Sequence, residues 1–337
     1  MAWSIVEQPA DRSKLIRLVL LGGCLLLAVW LAVAIGAVRL HLTETLQALG
    51  LLPLSTPDRT IQTIIWELRL PRALLAACVG AKLAVAGSAY QGLFRNPLAE
   101  PYIIGTASGA ALGVTLVIVC QWTAAVPLGA FCGALLAAGL TYGLSTVVRV
   151  QSLVGLLLTG VAVGTMLNAT VWVLMVWNDQ DLGRIIAWLL GSFSGRGWSE
   201  LGRVLPWLLV GLLGLWLLAR PLDALAEGTE VARGLGLRVA LATGAVVALA
   251  SLMTAAAVAA AGIIGFVGLI APHIARQLVG ERYAWLLPAS AMLGGLLLVV
   301  ADTFARTLTA PVELPVGVVT AAVGGPFLLM LLGRQRA

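Results

Sequence analysis

Residues 69–113 read RLPRALLAACVGAKLAVAGSAYQGLFRNPLAEPYIIGTASGAALG, and this stretch decides how the rest of the chain is read. Arg69, Leu70, Pro71 and Arg72 make a charged edge, with a proline where a helix can begin because the N–H it lacks would have no partner anyway. An apolar run of about 22 residues follows to Phe94, roughly 33 Å as a helix and enough to cross a bilayer. Its small residues, Gly80, Ala84, Gly87, Ser88 and Gly92, fall in one stripe. Helices in lipid gain little from hydrophobicity toward one another and hold together by close backbone approach over such residues. The stretch is therefore expected to be surrounded by other helices rather than by lipid. Arg95 places a cation at the helix C-terminus, and Asn96-Pro97 stops the helix. Gly105, Gly109 and Gly113, spaced by four, open a second close-packing helix.

Composition agrees with a membrane protein. Hydrophobic residues make up 60% and charged residues 11% of the 337 positions, and the mean hydropathy is +1.01. Soluble domains carry about 25% charged residues. The formal charge of +6 would suit a nucleic-acid binder, but the basic residues stand singly between apolar runs and read as topology signals. No nucleic-acid partner is expected. Cys24, Cys78, Cys120 and Cys132 lie inside apolar runs without metal-like spacing and read as structural thiols. The apolar run after Arg12, Lys14 and Arg17 is too long for a secretory h-region, so it is expected to be retained as the first span.

Ten spans are expected: Leu15–Ala37, Arg72–Phe94, Tyr102–Val119, Ala124–Val147, Leu153–Trp177, Leu201–Leu218, Ala240–Ala261, Ile263–Leu278, Ala284–Thr307 and Pro315–Leu332. The fold class is thus an all-α polytopic membrane protein, one transmembrane domain over residues 1–337. Placing both termini inside leaves a modest excess of Arg and Lys on the inner segments, which favours that orientation. The outer segment 41–69 reads as a surface helix, with Leu42, Leu46, Leu49 and Trp66 for apolar contacts, and 178–203 as short interfacial helices with Trp188 and Trp198 at headgroup depth. Residues 222–238, LDALAEGTEVARGLGLR, are too polar to span. Gly228 divides them into two short helices, with Thr229 able to cap the second and Gly234 able to end it in a left-handed turn.

RLPR, VGAKLAVAG, Gln91 and the run RNPLAEP (95–101) resemble the permease subunit of bacterial ATP-binding-cassette importers for iron chelates, haem and cobalamin, the FecCD-type permeases. The same resemblance continues in GIIGFVGLIAPHIARQLVG, ADTFARTL and ELPVGVVTAAVGGPF, and so covers most of residues 60–333. It implies an inverted-repeat importer fold and a chain that works as a homodimer, or as a pair with a similar chain, around one pathway. It also implies a periplasmic binding protein and two cytoplasmic ATPases that drive alternating access in the bacterial inner membrane. By the same resemblance, residues 222–238 are the coupling helices that dock on the ATPase. Glu227, Thr229, Glu230, Ala232, Arg233, Gly234 and Gly236 are the contact residues. Arg69, Arg72 and Arg306, which the topology places at the outer mouth, correspond to arginines that meet acidic residues on the binding protein. Pairing with lipid phosphate, or with Glu67, Asp302 and Glu313, is the other reading of these three.

Gly80, Lys82, Ala84, Gly87, Ser88, Gln91, Gly105 and Gly109 are expected in helix packing or along the pathway. Lys82 departs from the small apolar residue usual in the resembling family. It either lines the pathway and draws in an anionic chelate, or snorkels toward helix carbonyls. His273 has no second histidine or cysteine beside it and reads as a packed, hydrogen-bonded side chain.

Catalytic chemistry is not expected in this chain. Neither Lys14 nor Lys82 stands in the GxxxxGK[ST] pattern that a phosphate-binding loop needs. No cofactor or metal is expected on the chain, with ATP and magnesium belonging to the partner ATPase. An ion-coupled secondary transporter is the rival function, and Asp302 is the one internal carboxylate such a mechanism would have. The chelate itself is left open, with an iron–siderophore favoured on family frequency.

Overall fold

A computed structural model describes residues 9–36, 38, 41–48, 50, 58–147 and 153–334. In chain order the helices are α1 (Pro9–Ala34), α2 (Leu42–Ala48), α3 (Arg59–Thr63), α4 (Leu70–Phe94), α5 (Thr106–Val119), α6 (Val126–Val147), α7 (Leu153–Trp177), α8 (Leu182–Leu189), α9 (Trp198–Leu217), α10 (Ala219–Glu227), α11 (Thr229–Gly234), α12 (Val239–Ala261), α13 (Val267–Val279), α14 (Tyr283–Thr307) and α15 (Val316–Arg334). Among the described residues there is no strand, and seven helices are long and apolar enough to cross a membrane.

Each expected span is present as a helix, but two begin later than their hydropathy indicates. α5 has 14 residues and α13 has 13. Each follows a non-helical segment, and each opens at a residue with left-handed backbone, Gly105 (φ 82°) and Phe266 (φ 69°). Glycine adopts this conformation freely, whereas phenylalanine is held in it by its surroundings. The two irregular segments satisfy each other. Tyr102 Oη donates to Ile264 O at 2.9 Å and accepts from Ile264 N at 3.1 Å, and the Glu100 carboxylate accepts from Phe266 N at 3.3 Å. Backbone left unpaired in an apolar interior costs several kcal/mol per group, so such segments persist only where protein supplies partners.

These two breaks mark an internal repeat. α4, α5, α6 and α7 have 25, 14, 22 and 25 residues, and α12, α13, α14 and α15 have 23, 13, 25 and 19. Packing follows the same relation. α5 lies on α6 and α13 on α14, while α4 packs on α14 and α12 on α6, so the first helix of each set lies against the third of the other. Glycine permits these approaches: a Cβ on Gly80 would fall on the Gly294 carbonyl of α14, and one on Gly87 on the Gly268 carbonyl of α13.

α4 is the core of the bundle, as its small-residue stripe predicts. All but a few of its residues are buried, against α14, α12, α13 and α9. It also starts earlier than expected, because α3 runs through a wider turn over Ile64–Arg69 directly into it, one helical run from Arg59 to Phe94. Outside the bundle, Trp66 donates its indole N–H to Ala48 O and Trp198 to Trp66 O, which pins α2 and α9 onto that run. Of the apolar residues expected to hold the outer segment, Leu49 lies outside the described residues.

Candidate functional site

The three outer arginines converge. Arg69, Arg72 and Arg306 line a recess of about 400 Å³ together with Glu67, Arg196 and Glu313. Each is held from within the protomer. The guanidinium of Arg72 forks onto Asp302, with Nη2 2.8 Å from Oδ1 and Nε 3.0 Å from Oδ2, while Nη1 reaches Glu313 at 2.9 Å. Arg69 donates to the carbonyls of Val33 (3.0 Å), Ala34 (2.9 Å) and Val38, and Arg306 donates to Ala32 O. The carbonyls of Ala32, Val33 and Ala34 close α1, whose last turn has no intrahelical donors for them, so two long cations cap the helix from outside it. Arg69 is 5% and Arg306 4% exposed. The sequence singled out three arginines for contact with a partner, and the structure gives all three internal partners first. Arg196, on the segment between α8 and α9, lines the same recess, and among the described residues no side-chain hydrogen bond or ion pair within 4 Å is seen for its guanidinium, whose charge acts on Glu200 from farther off. The sequence offered no sign of it beyond its place in an outer segment.

Lys82 does not face a cavity. It is 0% exposed between α4 and α9, and its Nζ donates to Val204 O at 2.6 Å, two residues before Pro206. This geometry corresponds to the carbonyl-bound reading. Gln91 donates to Gly268 O at 3.2 Å and receives Arg276 on its carbonyl oxygen. Ser88 and Ser290 share a hydrogen bond of 2.9 Å. Ala84 abuts Gly294, and Gly109 lies against Gly133 of α6. Gly80, Ala84, Gly87, Ser88, Gln91 and Gly109 thus serve helix contacts, while Gly105 sets the start of α5. His273 pairs with Gln277 at 3.1 Å and meets Phe327 edge-on.

At the other end of the bundle, α10 and α11 are the two short helices expected in 222–238, with Gly228 (φ 138°) between them. Three details differ. Gly228, not Thr229, occupies the cap position of α11, and no side chain caps it. The left-handed turn falls at Gly236 (φ 78°), two residues after Gly234. Ala232 is 0% exposed, because it is the residue by which the short α11 is held to the bundle. Glu227, Glu230, Arg233, Gly234 and Gly236 are exposed and Thr229 is partly so. Arg95, Arg233 and Arg238 line one cavity of about 590 Å³ beside α11.

Two helices join the two ends. α4 begins at the recess with Arg72, and Gly92 near its end takes the Tyr283 hydroxyl against its backbone. α14 runs the opposite way, from Tyr283, whose N–H donates to Asp223 of α10 at 2.8 Å, to Asp302 in the recess. The α4–α14 contact is the most extensive in the protein. In the sequence Asp223 is one polar residue among several in 222–238. Its role as the cap of a distant helix depends on contact across 60 positions, which no local pattern shows.

The profile of the FecCD transport family matches residues 24–334. The chain belongs to that family. This FecCD protein is 44% identical over 282 residues to the hemin transport system permease HmuU of Yersinia pestis, covering 81% of this chain and 84% of the relative. It is 44% identical over 276 residues to the cobalamin import system permease BtuC of Halobacterium salinarum, covering 81% and 74%. With the Fe(3+)-citrate import system permease YfmE of Bacillus subtilis it shares 37% identity over 325 residues, 96% of each chain. Among solved structures, an inward-facing conformation of a metal-chelate type ABC transporter superposes on this FecCD protein with a TM-score of 0.82 at 33% identity, covering 94% of this chain and 98% of that one.

Proposed function

We propose that this FecCD protein is the permease subunit of an ATP-binding-cassette importer that moves a metal chelate across the bacterial inner membrane. An iron–siderophore complex is the favoured cargo, with haem and cobalamin as alternatives. One observation carries the mechanism. The α4–α14 pair connects the charged recess to the α10–α11 helices, through Arg72 and Asp302 at one end and Tyr283 and Asp223 at the other. Interdigitated helices of this kind shift as units. A ligand-loaded binding protein seated at the recess would thus be linked mechanically to an ATPase seated at α10–α11.

The remaining assignments follow that reading. Both termini lie in the cytoplasm, and two ATPase subunits carrying ATP and magnesium dock on Glu227, Thr229, Glu230, Arg233, Gly234 and Gly236. A second permease chain, another copy of this one, completes the pathway. The binding protein presents carboxylates to the recess, where Arg196 is held by no close ion pair among the described residues and Arg72 lies at the rim. Arg69 and Arg306 support that surface from beneath by fixing the end of α1.

The rival, ion-coupled transport, requires an internal carboxylate free to take up an ion or proton. Asp302 is instead committed to Arg72 by three contacts of 2.8–3.2 Å. Reconstitution with the ATPase and the binding protein in proteoliposomes separates the two mechanisms. Chelate uptake should require ATP and survive collapse of the ion gradients. Uptake driven by an ion gradient without ATP would overturn the assignment.

A further inference from the structure

A crevice of about 460 Å³ lies between α6 and α9, floored by α12. Its floor is Ala256, Ala259 and Ala260, three residues on one helical face whose short side chains leave the space open. Its walls carry Leu128 and Phe131 from α6 and Trp207 from α9, and Phe131 and Trp207 meet at 5.6 Å between ring centroids. α6 and α9 are among the long apolar helices least covered by the rest of the protein, so the crevice opens toward acyl chains rather than into the bundle. At its mouth, on the recess side of the molecule, stand Glu200 and Arg203.

The two charges at the mouth form only a loose pair with each other. Arg203 is an exposed side chain whose Nη1 is 3.9 Å from Glu200 Oε1, too long for a hydrogen bond. Glu200 uses Oε2 to accept from Gly197 N (2.9 Å) and from the Ser199 hydroxyl (2.9 Å), and Oε1 is the oxygen nearest Arg203. An apolar slot topped by one cation and one anion is complementary to a zwitterionic amphiphile. Arg203 suits a phosphodiester and Glu200 a primary ammonium, which donates hydrogen bonds that a quaternary one lacks. An anionic glycerol headgroup offers Glu200 only neutral hydroxyl donors, and its net negative charge is repelled by the carboxylate.

We infer that this crevice is a binding site for one ethanolamine phospholipid, with an acyl chain on the alanine floor, its phosphate on Arg203 and its ammonium on Glu200. The site rests on the membrane placement of α6 and α9 and is independent of which chelate is carried or whether an ATPase drives it. Occupancy fills the gap between two helices that otherwise touch little, and so ties α9, with its bond to Lys82, to the rest of the bundle.

The full chain in lipid nanodiscs tests this through Trp207. Phospholipids with brominated acyl chains quench nearby indoles, and the Trp207 contribution is the difference between the native chain and Trp207→Phe. At equal mole fraction, brominated phosphatidylethanolamine should quench that contribution more than brominated phosphatidylcholine or phosphatidylglycerol. Glu200→Gln, which keeps an acceptor for the Gly197 N–H, should lower the preference by roughly two- to fivefold, whereas Arg203→Gln should weaken the quenching by all three phosphodiester lipids alike. Ala256→Leu should remove the preference and leave the equal quenching that boundary lipid gives the partly exposed Trp207. Equal quenching by the three headgroups would mean ordinary boundary lipid and would overturn the assignment. So would an unchanged preference in Glu200→Gln at native thermal stability.

Discussion

Arg72 shows how much a single side chain carries in this protein. Its guanidinium holds Asp302 on α14 and Glu313 beyond it, in a site where Asp302 is 2% exposed. Breaking a buried pair costs about 3–5 kcal/mol, and without Arg72 the Asp302 carboxylate keeps only the longer contact to Arg306, at 3.9 Å. Arg72→Met should therefore lower the unfolding temperature in detergent sharply. Arg72→Lys should recover only part of the loss, because an ammonium cannot fork onto two carboxylates. Lys82 predicts the opposite outcome. Its single polar contact is with Val204 O, and apolar residues of similar volume commonly replace buried charges without loss. Lys82→Met should keep or raise thermal stability and leave chelate uptake unchanged, as measured in proteoliposomes. A weakened substrate affinity would show that the amine reaches the cargo in another conformation.

Helix contacts decide the next scale. A Cβ on Gly87 falls on the Gly268 carbonyl, whereas one on Gly139 of α6 meets nothing within 4 Å. Gly87→Leu should thus cost at least the roughly 1–3 kcal/mol typical of overpacking, read as a lower unfolding temperature. Gly139→Ala should be neutral or stabilising, since glycine within a helix costs up to about 1 kcal/mol. The stripe that predicts this contact was legible in the sequence, as were the long helices, because spacing of small residues and runs of apolar ones are local properties. The starts of α5 and α13 were not. Tyr102 and Ile263 continue apolar runs, and only the pairing of Tyr102 with Ile264 and of Glu100 with Phe266 reveals where helix gives way to irregular backbone. Burial of Ala232 and capping by Asp223 escaped for the same reason: both depend on which residues of other helices lie opposite. The convergence of Arg69, Arg72 and Arg306 was legible from topology, but their engagement with α1 was not, since no pattern marks a carbonyl as waiting for a distant arginine.

Across the whole molecule, the recess and the α10–α11 pair act as two ends of one linkage, and variants at each end should fail differently. Charge reversal at Arg69 and Arg306 is unsuitable as a probe of docking, because both cap α1 and the protein would lose stability first. Arg196 is free of such duties. Arg196→Glu should leave folding and basal ATPase activity of the assembled complex intact while weakening association with the binding protein. The loss should shrink as salt rises, since steering by exposed charges is screened over about 8–10 Å. Gly234 serves at the opposite end, where an added side chain meets nothing within 4 Å. Gly234→Asp should leave the protein folded and the binding protein bound, yet abolish the rise in ATP hydrolysis that the loaded binding protein produces, and with it uptake. Taken together, one variant loses the input and the other the output. If Gly234→Asp weakened binding-protein association as strongly as Arg196→Glu, the two ends would not be separable, and a rigid α4–α14 connection between distinct docking sites would be the wrong account.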